Sequence, residues 1–174
     1  MDLNSDTLSD SLQPENRGKE YDTKNISVLY VDDEIINLKA FQANYRRIFN
    51  VYVARTAMEG VKILEEESIQ VVLSDQRMPE ITGVEFFESI LSKHPDTIRI
   101  LITAFSNIQA VIDAINKGNV YRYVTKPWDK DELQSIIENS YEVFMLREEN
   151  RVLTESLMQA NKQLEFMLRQ KLLD

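Results

Sequence analysis

Short apolar runs alternate with longer amphipathic stretches along most of this chain. The runs at 26–31, 51–54, 71–74, 98–102 and 120–124 are dominated by β-branched, aliphatic and aromatic residues. Each is too short for a helix, so each is expected as a buried strand. Four of the stretches that follow open on one signature: Thr56-x-x-Glu59, Thr82-x-x-Glu85, Ser106-x-x-Gln109 and Asp129-x-x-Glu132. In such capping boxes an oxygen at the first position satisfies a free N–H of the opening turn, and the acid or amide three residues on reaches back. The first run feeds Asp32-Asp33-Glu34 and an amphipathic stretch to Arg47, and Gly118 marks a helix stop. Strand then helix, five times, predicts an α/β domain: a parallel sheet with helices on both faces.

The positions of the polar residues give this pattern its chemical meaning. Asp32, Asp33, Asp75, Thr103 and Lys126 all fall at or just past the C-terminal end of an expected strand. That edge is where open parallel sheets bind ligands, so these groups are expected to share a pocket. An Asp after a strand is often only a helix cap, which would account for Asp32 or Asp33. It does not account for Asp75, which is followed by the loop Gln76-Arg77-Met78-Pro79. The three carboxylates form a hard-oxygen set suited to Mg²⁺ rather than zinc or copper. Asp75 is the candidate nucleophile, able to take a phosphoryl group as an acyl phosphate. Lys126 would pair with the phosphoryl group, or with Asp75 in its absence, and Thr103 would donate its hydroxyl.

Composition narrows the function further. The chain has 174 residues, 43% of them hydrophobic, enough for one packed domain with extensions. There is no cysteine, which excludes disulfides and thiolate metal sites. The one histidine, His94, rules out a multi-histidine zinc site and reads as a surface residue in a turn before Pro95. A net charge of −9 argues against nucleic-acid binding, and no apolar stretch is long enough to span a membrane. The N-terminus lacks the basic and apolar regions of a signal peptide, so a soluble cytoplasmic protein is expected.

Residues 1–24 are polar and aperiodic and are expected to be a disordered tail, ahead of a domain at 25–144. From Asp129 to Asp174 there is neither Pro nor Gly. An unbroken helix here would be roughly 65–70 Å long. Heptads can be laid on it, with a positions at Ile136, Val143, Asn150, Leu157, Leu164 and Lys171. The d positions are Asn139, Leu146, Leu153, Ala160 and Met167. The seam is strongest from Val143 to Met167, so 145–174 is expected to be a coiled-coil extension. Asn150 at an a position favours a parallel two-stranded register, and hence a homodimer.

At this point the residues resemble a known family. Val31-Asp32-Asp33-Glu34, Ser74-Asp75-Gln76-Arg77-Met78-Pro79, Gly83, Ile102-Thr103-Ala104 and Tyr121-Arg122-Tyr123-Val124-Thr125-Lys126-Pro127 occur in the order seen in response regulator receiver domains of two-component signalling. The resemblance covers about two-thirds of the chain, from Ile26 to Phe144. It implies a flavodoxin-like sheet of order 2-1-3-4-5. It implies that Asp75 is the phospho-acceptor, loaded from the phosphohistidine of a sensor histidine kinase or phosphotransfer protein. Asp33 would be a direct Mg²⁺ ligand, Asp32 would act mainly through water, and the backbone carbonyl of Arg77 would complete the protein ligands. Thr103 and Lys126 would bind the phosphoryl group. Tyr123 matches the aromatic switch residue that turns inward as Thr103 moves. Arg77 and Phe105 match the positions flanking the path of the hydrolytic water, and neither can orient one, so a long-lived phosphorylated state is expected.

The expected output is a state passed through the helical dimer, either to a domain that follows the coil or to a partner of the coil itself. A phosphorylation-independent dimeric scaffold is an alternative. A phosphohydrolase resembling the haloacid dehalogenases is another, but that family carries its acid/base Asp two residues after the nucleophile, and Arg77 stands there. The chain is therefore not expected to be an enzyme beyond its own phosphotransfer and dephosphorylation.

Overall fold

A computed structural model describes residues 21–104 and 108–174. The elements run β1 Ser27–Val31, α1 Ile35–Tyr45, β2 Asn50–Ala54, α2 Ala57–Glu66, β3 Val71–Asp75, α3 Gly83–Ile90, β4 Ile98–Thr103, α4 Ile108–Asn116, β5 Arg122–Thr125 and α5 Lys130–Leu173. The five strands pair in parallel in the order β2-β1-β3-β4-β5. This is the flavodoxin-like arrangement expected.

Period-two alternation in the strands builds two cores. Val28, Tyr30, Val71, Leu73, Ile100 and Ile102 face α1 and the start of α5, against Phe41, Tyr45, Leu133, Ile136 and Ile137. Leu29, Val31, Val72 and Leu101 face α2, α3 and α4, against Leu64, Phe86, Phe87, Ile90 and Val111. Both faces of the central strands are buried, so their sequences read as near-continuous apolar runs.

The helix starts follow their side chains. Thr82 and Glu85 form a complete reciprocal capping box at α3. At α2, Thr56 caps Glu59 N–H, but the Glu59 carboxylate takes the N–H of Arg55 instead of reaching Thr56. At α5, Asp129 accepts from both Asp131 and Glu132 N–H and nothing is returned. Ser106 lies outside the described residues. At α1, Glu34 takes the N-cap position without a side-chain bond, and its own N–H is held by Asp32. Gly118 ends α4 with φ +76°, where a side chain would be strained. The expected run at 120–124 becomes a strand only from Arg122, because Val120 N–H still closes the end of α4 on Ala114 O.

Tyr21, within the segment expected as a tail, packs on the domain. Tyr21 stacks edge-on to Tyr141 at 4.9 Å and donates to Glu142, and Thr23–Asn25 form a 3₁₀ turn capped by Asp22. Residues 1–20 lie outside the described ones. Ile136, the first a position of the heptads, is 5% exposed within the domain core, so it cannot join an intermolecular seam.

Candidate functional site

The register of the sheet delivers the polar residues to one edge. Val31 pairs with Ser74, Asp75 with Ile102 and Thr103 with Thr125, so the strands end level. Asp32 N–H bonds Ala54 O and Lys126 N–H bonds Thr103 O, which carries the ladder one residue past the strand ends. Gly83 allows α3 to start against this edge. A Cβ there would lie 2.5 Å from Asp75 O and 2.7 Å from a Leu101 methyl, so any side chain would displace the end of β3.

Lys126 sits at the centre of the site. Its Nζ lies 2.8 Å from Asp75 Oδ1 and 3.1 Å from Asp32 Oδ2. Burial works against its charge, but the hydrogen bonds to the two carboxylates outweigh this and leave its pKa raised. The ammonium therefore stays charged. Asp75 is 7% exposed and is held at its other oxygen by Arg77 N–H, 3.1 Å away. Burial pushes its carboxyl above the ordinary range, and repulsion from Asp32 adds to this. The Lys126 and Arg77 bonds offset the rise only in part. Asp33 is half-buried at the mouth of the same site. The carboxylates of Asp32, Asp33 and Asp75 can each offer an oxygen within 4.8 Å of the others. Three hard oxygens so grouped fit a divalent cation such as Mg²⁺ in ligand type and spacing.

Thr103 is 6% exposed and donates to the adjacent Ala104 carbonyl at 2.8 Å, so its hydroxyl is not engaged with Asp75. Tyr123 is 39% exposed at the rim of a small apolar cavity lined by Thr103, Ile108 and Val111. Arg77 is exposed at the site's mouth. Phe105 lies outside the described residues. His94, expected at the surface, is half-buried in the turn before β4, with a buried Nε2 that lacks a hydrogen-bond partner among the described residues.

Two side chains at the site escaped the sequence reading. Tyr30 is fully buried and its hydroxyl donates to Asp32 Oδ2 at 2.5 Å. Asn37 Nδ2 donates to the same oxygen at 3.0 Å. A signal for Tyr30 existed. A tyrosine inside a fully buried strand needs a partner for its hydroxyl, and Asp32, two residues on, points to the same face. Asn37 carried no such signal, because its contact depends on how α1 turns back over the end of β1.

The expected coil lies along α5. Leu133, Ile136, Ile137, Ser140 and Tyr141 are buried against the domain. Beyond them Leu146 (62%), Leu153 (55%), Leu157 (66%), Leu164 (57%) and Met167 (62%) are exposed. Asn150 and Ala160 are exposed and Val143 is half-buried. The helix leaves the domain past two contacts. Arg147 lies over the Tyr121 ring at 5.9 Å, and Arg151 lies 3.9 Å from Asp96. Among the described residues no helix is long and apolar enough to cross a membrane.

Comparison with known proteins gives a consistent picture. The family described as the response regulator receiver domain matches residues 28–138. The hydrogenase transcriptional regulatory protein HoxA of Bradyrhizobium diazoefficiens is 32% identical over 123 residues, covering 71% of this chain and 25% of that protein. The transcriptional regulatory protein ZraR of Escherichia coli is 31% identical over 117 residues, covering 67% and 26%. The chain thus spans about a quarter of the length of these curated relatives. A response regulator receiver domain protein from Clostridium thermocellum superimposes with a TM-score of 0.66 at 27% identity, covering 70% of this chain and 98% of that one. The sheet order, the acidic edge and the family match agree, and the chain belongs to the response regulator receiver domains of two-component systems.

Proposed function

We propose that this receiver takes a phosphoryl group onto Asp75 from the phosphohistidine of a sensor histidine kinase or phosphotransfer protein. The observation that carries this reading is Lys126 Nζ, held at 2.8 Å from Asp75 beside two further carboxylates. In the transfer, an Asp75 oxygen forms the new bond to phosphorus as the bond to the imidazole nitrogen breaks. The imidazole recovers its proton from solvent.

Asp33, Asp75 and the Arg77 carbonyl would hold Mg²⁺, with Asp32 acting mainly through water. The ion supplies charge compensation for the transferring oxygens. Lys126 then exchanges its bond to Asp75 for one to a phosphoryl oxygen, and Thr103 turns its hydroxyl from Ala104 O towards the phosphoryl group. Moving Thr103 opens space in the cavity beside it, and Tyr123, now at the rim, turns in to fill it. A new group of charge about −2 with strong acceptor oxygens is sufficient to bias such a two-state element.

The switched state passes into a parallel homodimer along α5, and from there to an output domain or a partner. The arrangement of α5 supports this. Leu133, Ile136, Ile137, Ser140 and Tyr141 are buried against the domain. The seam positions from Leu146 to Met167 are exposed beyond it, which leaves them open to a second copy. A constitutive scaffold is disfavoured by the acidic site, which such a protein does not need. A dehalogenase-like hydrolase is disfavoured by Arg77, which offers no general acid.

The test is intact mass after incubation with a small phosphodonor and Mg²⁺. One phosphoryl group is expected on the natural chain and none on Asp75→Ala. Label that persists in the variant refutes the assignment.

A further inference from the structure

Past the domain, α5 carries a second apolar stripe. Met145, Val152, Phe166 and Leu173 are 48%, 52%, 62% and 87% exposed. With Gln159 they recur every seventh residue, at the c positions of the heptads whose a and d positions form the seam. A c position faces outward in a two-stranded coil, so the seam does not cover them. Seven residues fall slightly short of two full turns of a straight helix. A stripe that keeps this period is matched to another helix coiling alongside it.

Two features identify that helix. The stripe is symmetric about Gln159. When two copies run antiparallel, Met145 of one meets Leu173 of the other, Val152 meets Phe166 and Gln159 meets Gln159, the self-complementary pattern of a two-fold interface. Met145 and Val152 line an open groove with Glu148 and Glu149, and in this register Phe166 and Leu173 of the second copy lie along it.

The charges favour the same direction. The f positions beside the stripe are Glu148, Glu155, Lys162 and Arg169, acidic in one half and basic in the other. In an antiparallel pair f faces f, so Glu148 meets Arg169 and Glu155 meets Lys162. In a parallel pair f faces g, so Glu148 would meet Glu149, and Lys162 and Arg169 would meet Gln163 and Gln170. Within one helix both glutamates share Arg151, at 2.7 and 2.9 Å, whereas among the described residues no carboxylate lies within ion-pair distance of Lys162 or Arg169. The helix dipole does not account for this order. It acts within the terminal turns, and Glu148, Glu155 and Lys162 lie well inside α5.

We propose that the c-position stripe of α5 is a contact between copies of this chain, in which two α5 helices run antiparallel about Gln159. It rests neither on the phospho-acceptor reading nor on the seam, which uses other positions of the same helix. With one apolar residue per heptad instead of two, it is the weaker of the two associations.

The chain has no cysteine, so single cysteines report pairing cleanly. Full chains carrying Val152→Cys or Phe166→Cys are oxidised in a glutathione buffer, each alone and mixed. A disulfide needs Cα atoms within about 7 Å, and positions 152 and 166 are roughly 21 Å apart along one helix. Only the antiparallel pairing joins them. A mixed 152–166 disulfide several-fold above either homodisulfide is expected. Lys162→Glu with Arg169→Glu in both chains is expected to reduce it several-fold, and adding Glu148→Lys with Glu155→Lys to restore it. Homodisulfides at or above the mixed yield, or no disulfide in any mixture, overturn the inference, and so does a yield that ignores the charge reversal. Leu153→Cys alone, at a d position, reports the seam separately, so failure of the seam is distinguished from failure of this contact.

Discussion

Asp75 bears its charge where folding penalises it. Its folded pKa is raised, mainly by burial, so the folded state holds this proton more tightly than the unfolded state does. The stability this brings is present below the unfolded value of 3.8 and is lost as pH rises through the folded value. Asp75→Asn is therefore expected to melt higher than the natural chain in chelator at neutral pH, by on the order of 1 kcal/mol or a few degrees. The difference should shrink towards zero in acid. A variant that melts lower at neutral pH contradicts this account of the site. At the same scale, Arg77 stands beside the acceptor and cannot deprotonate a water. Phospho-Asp75 is expected to decay faster in Arg77→Asn combined with Phe105→Glu. Equal decay, or faster decay in the natural chain, refutes the shielding. Asp32, Asp33, Asp75, Thr103 and Lys126 were legible in the sequence because strand ends can be counted along one line of residues. Tyr30 also carried a signal, as a buried hydroxyl two residues from Asp32 on the same face, whereas Asn37 did not, because its contact depends on how α1 turns back over the end of β1.

Among the elements, α3 and α5 have the most to test. Gly83 begins α3 where a Cβ would press to 2.5 Å on the Asp75 carbonyl. Gly83→Ala is expected to destabilise by about 1–3 kcal/mol through overpacking and to weaken Mg²⁺ binding, because β3 must shift. A calorimetric Mg²⁺ constant equal to that of the natural chain would show that the end of β3 does not depend on this close approach. For α5, ending the chain after Phe144 is expected to yield a monomer or a weaker dimer by sedimentation. Identical dimer affinity in both chains places the interface elsewhere. Asn150→Ile should raise thermal stability while loosening the choice of oligomer. Helix starts were legible because capping depends on residues three apart. Heptads alone leave the role of Ile136 open, since it satisfies the repeat as well as it satisfies the domain core, and the packing of α5 on the sheet decides between them.

Across the whole molecule, the acidic site and the outgoing helix lie at opposite edges of the sheet. Asp75 and Lys126 are at the C-terminal edge, whereas Arg151 meets Asp96 just before β4 begins. β5 connects them, because it carries Tyr123 beside the Thr103 cavity and follows directly on Tyr121, on whose ring Arg147 of α5 rests. Exposed contacts of this kind are weak and screened by solvent, so they can be remade if β5 shifts. The pattern of apolar runs displayed this layout as strands and helices in order. It could not display the direction in which α5 leaves, which is set by side chains in distant loops. If Asp75 and the dimer are coupled, phosphorylation must change dimer affinity by the same factor by which dimerisation changes phosphoryl affinity. The direct measurement is the dimer dissociation constant of the natural chain by sedimentation, before and after stoichiometric phosphorylation, with Asp75→Ala alongside. The constant is expected to shift at least several-fold in the natural chain, on the scale of about 1 kcal/mol or more, and to stay fixed in the variant. A constant that does not move although Asp75 is fully phosphorylated would contradict it.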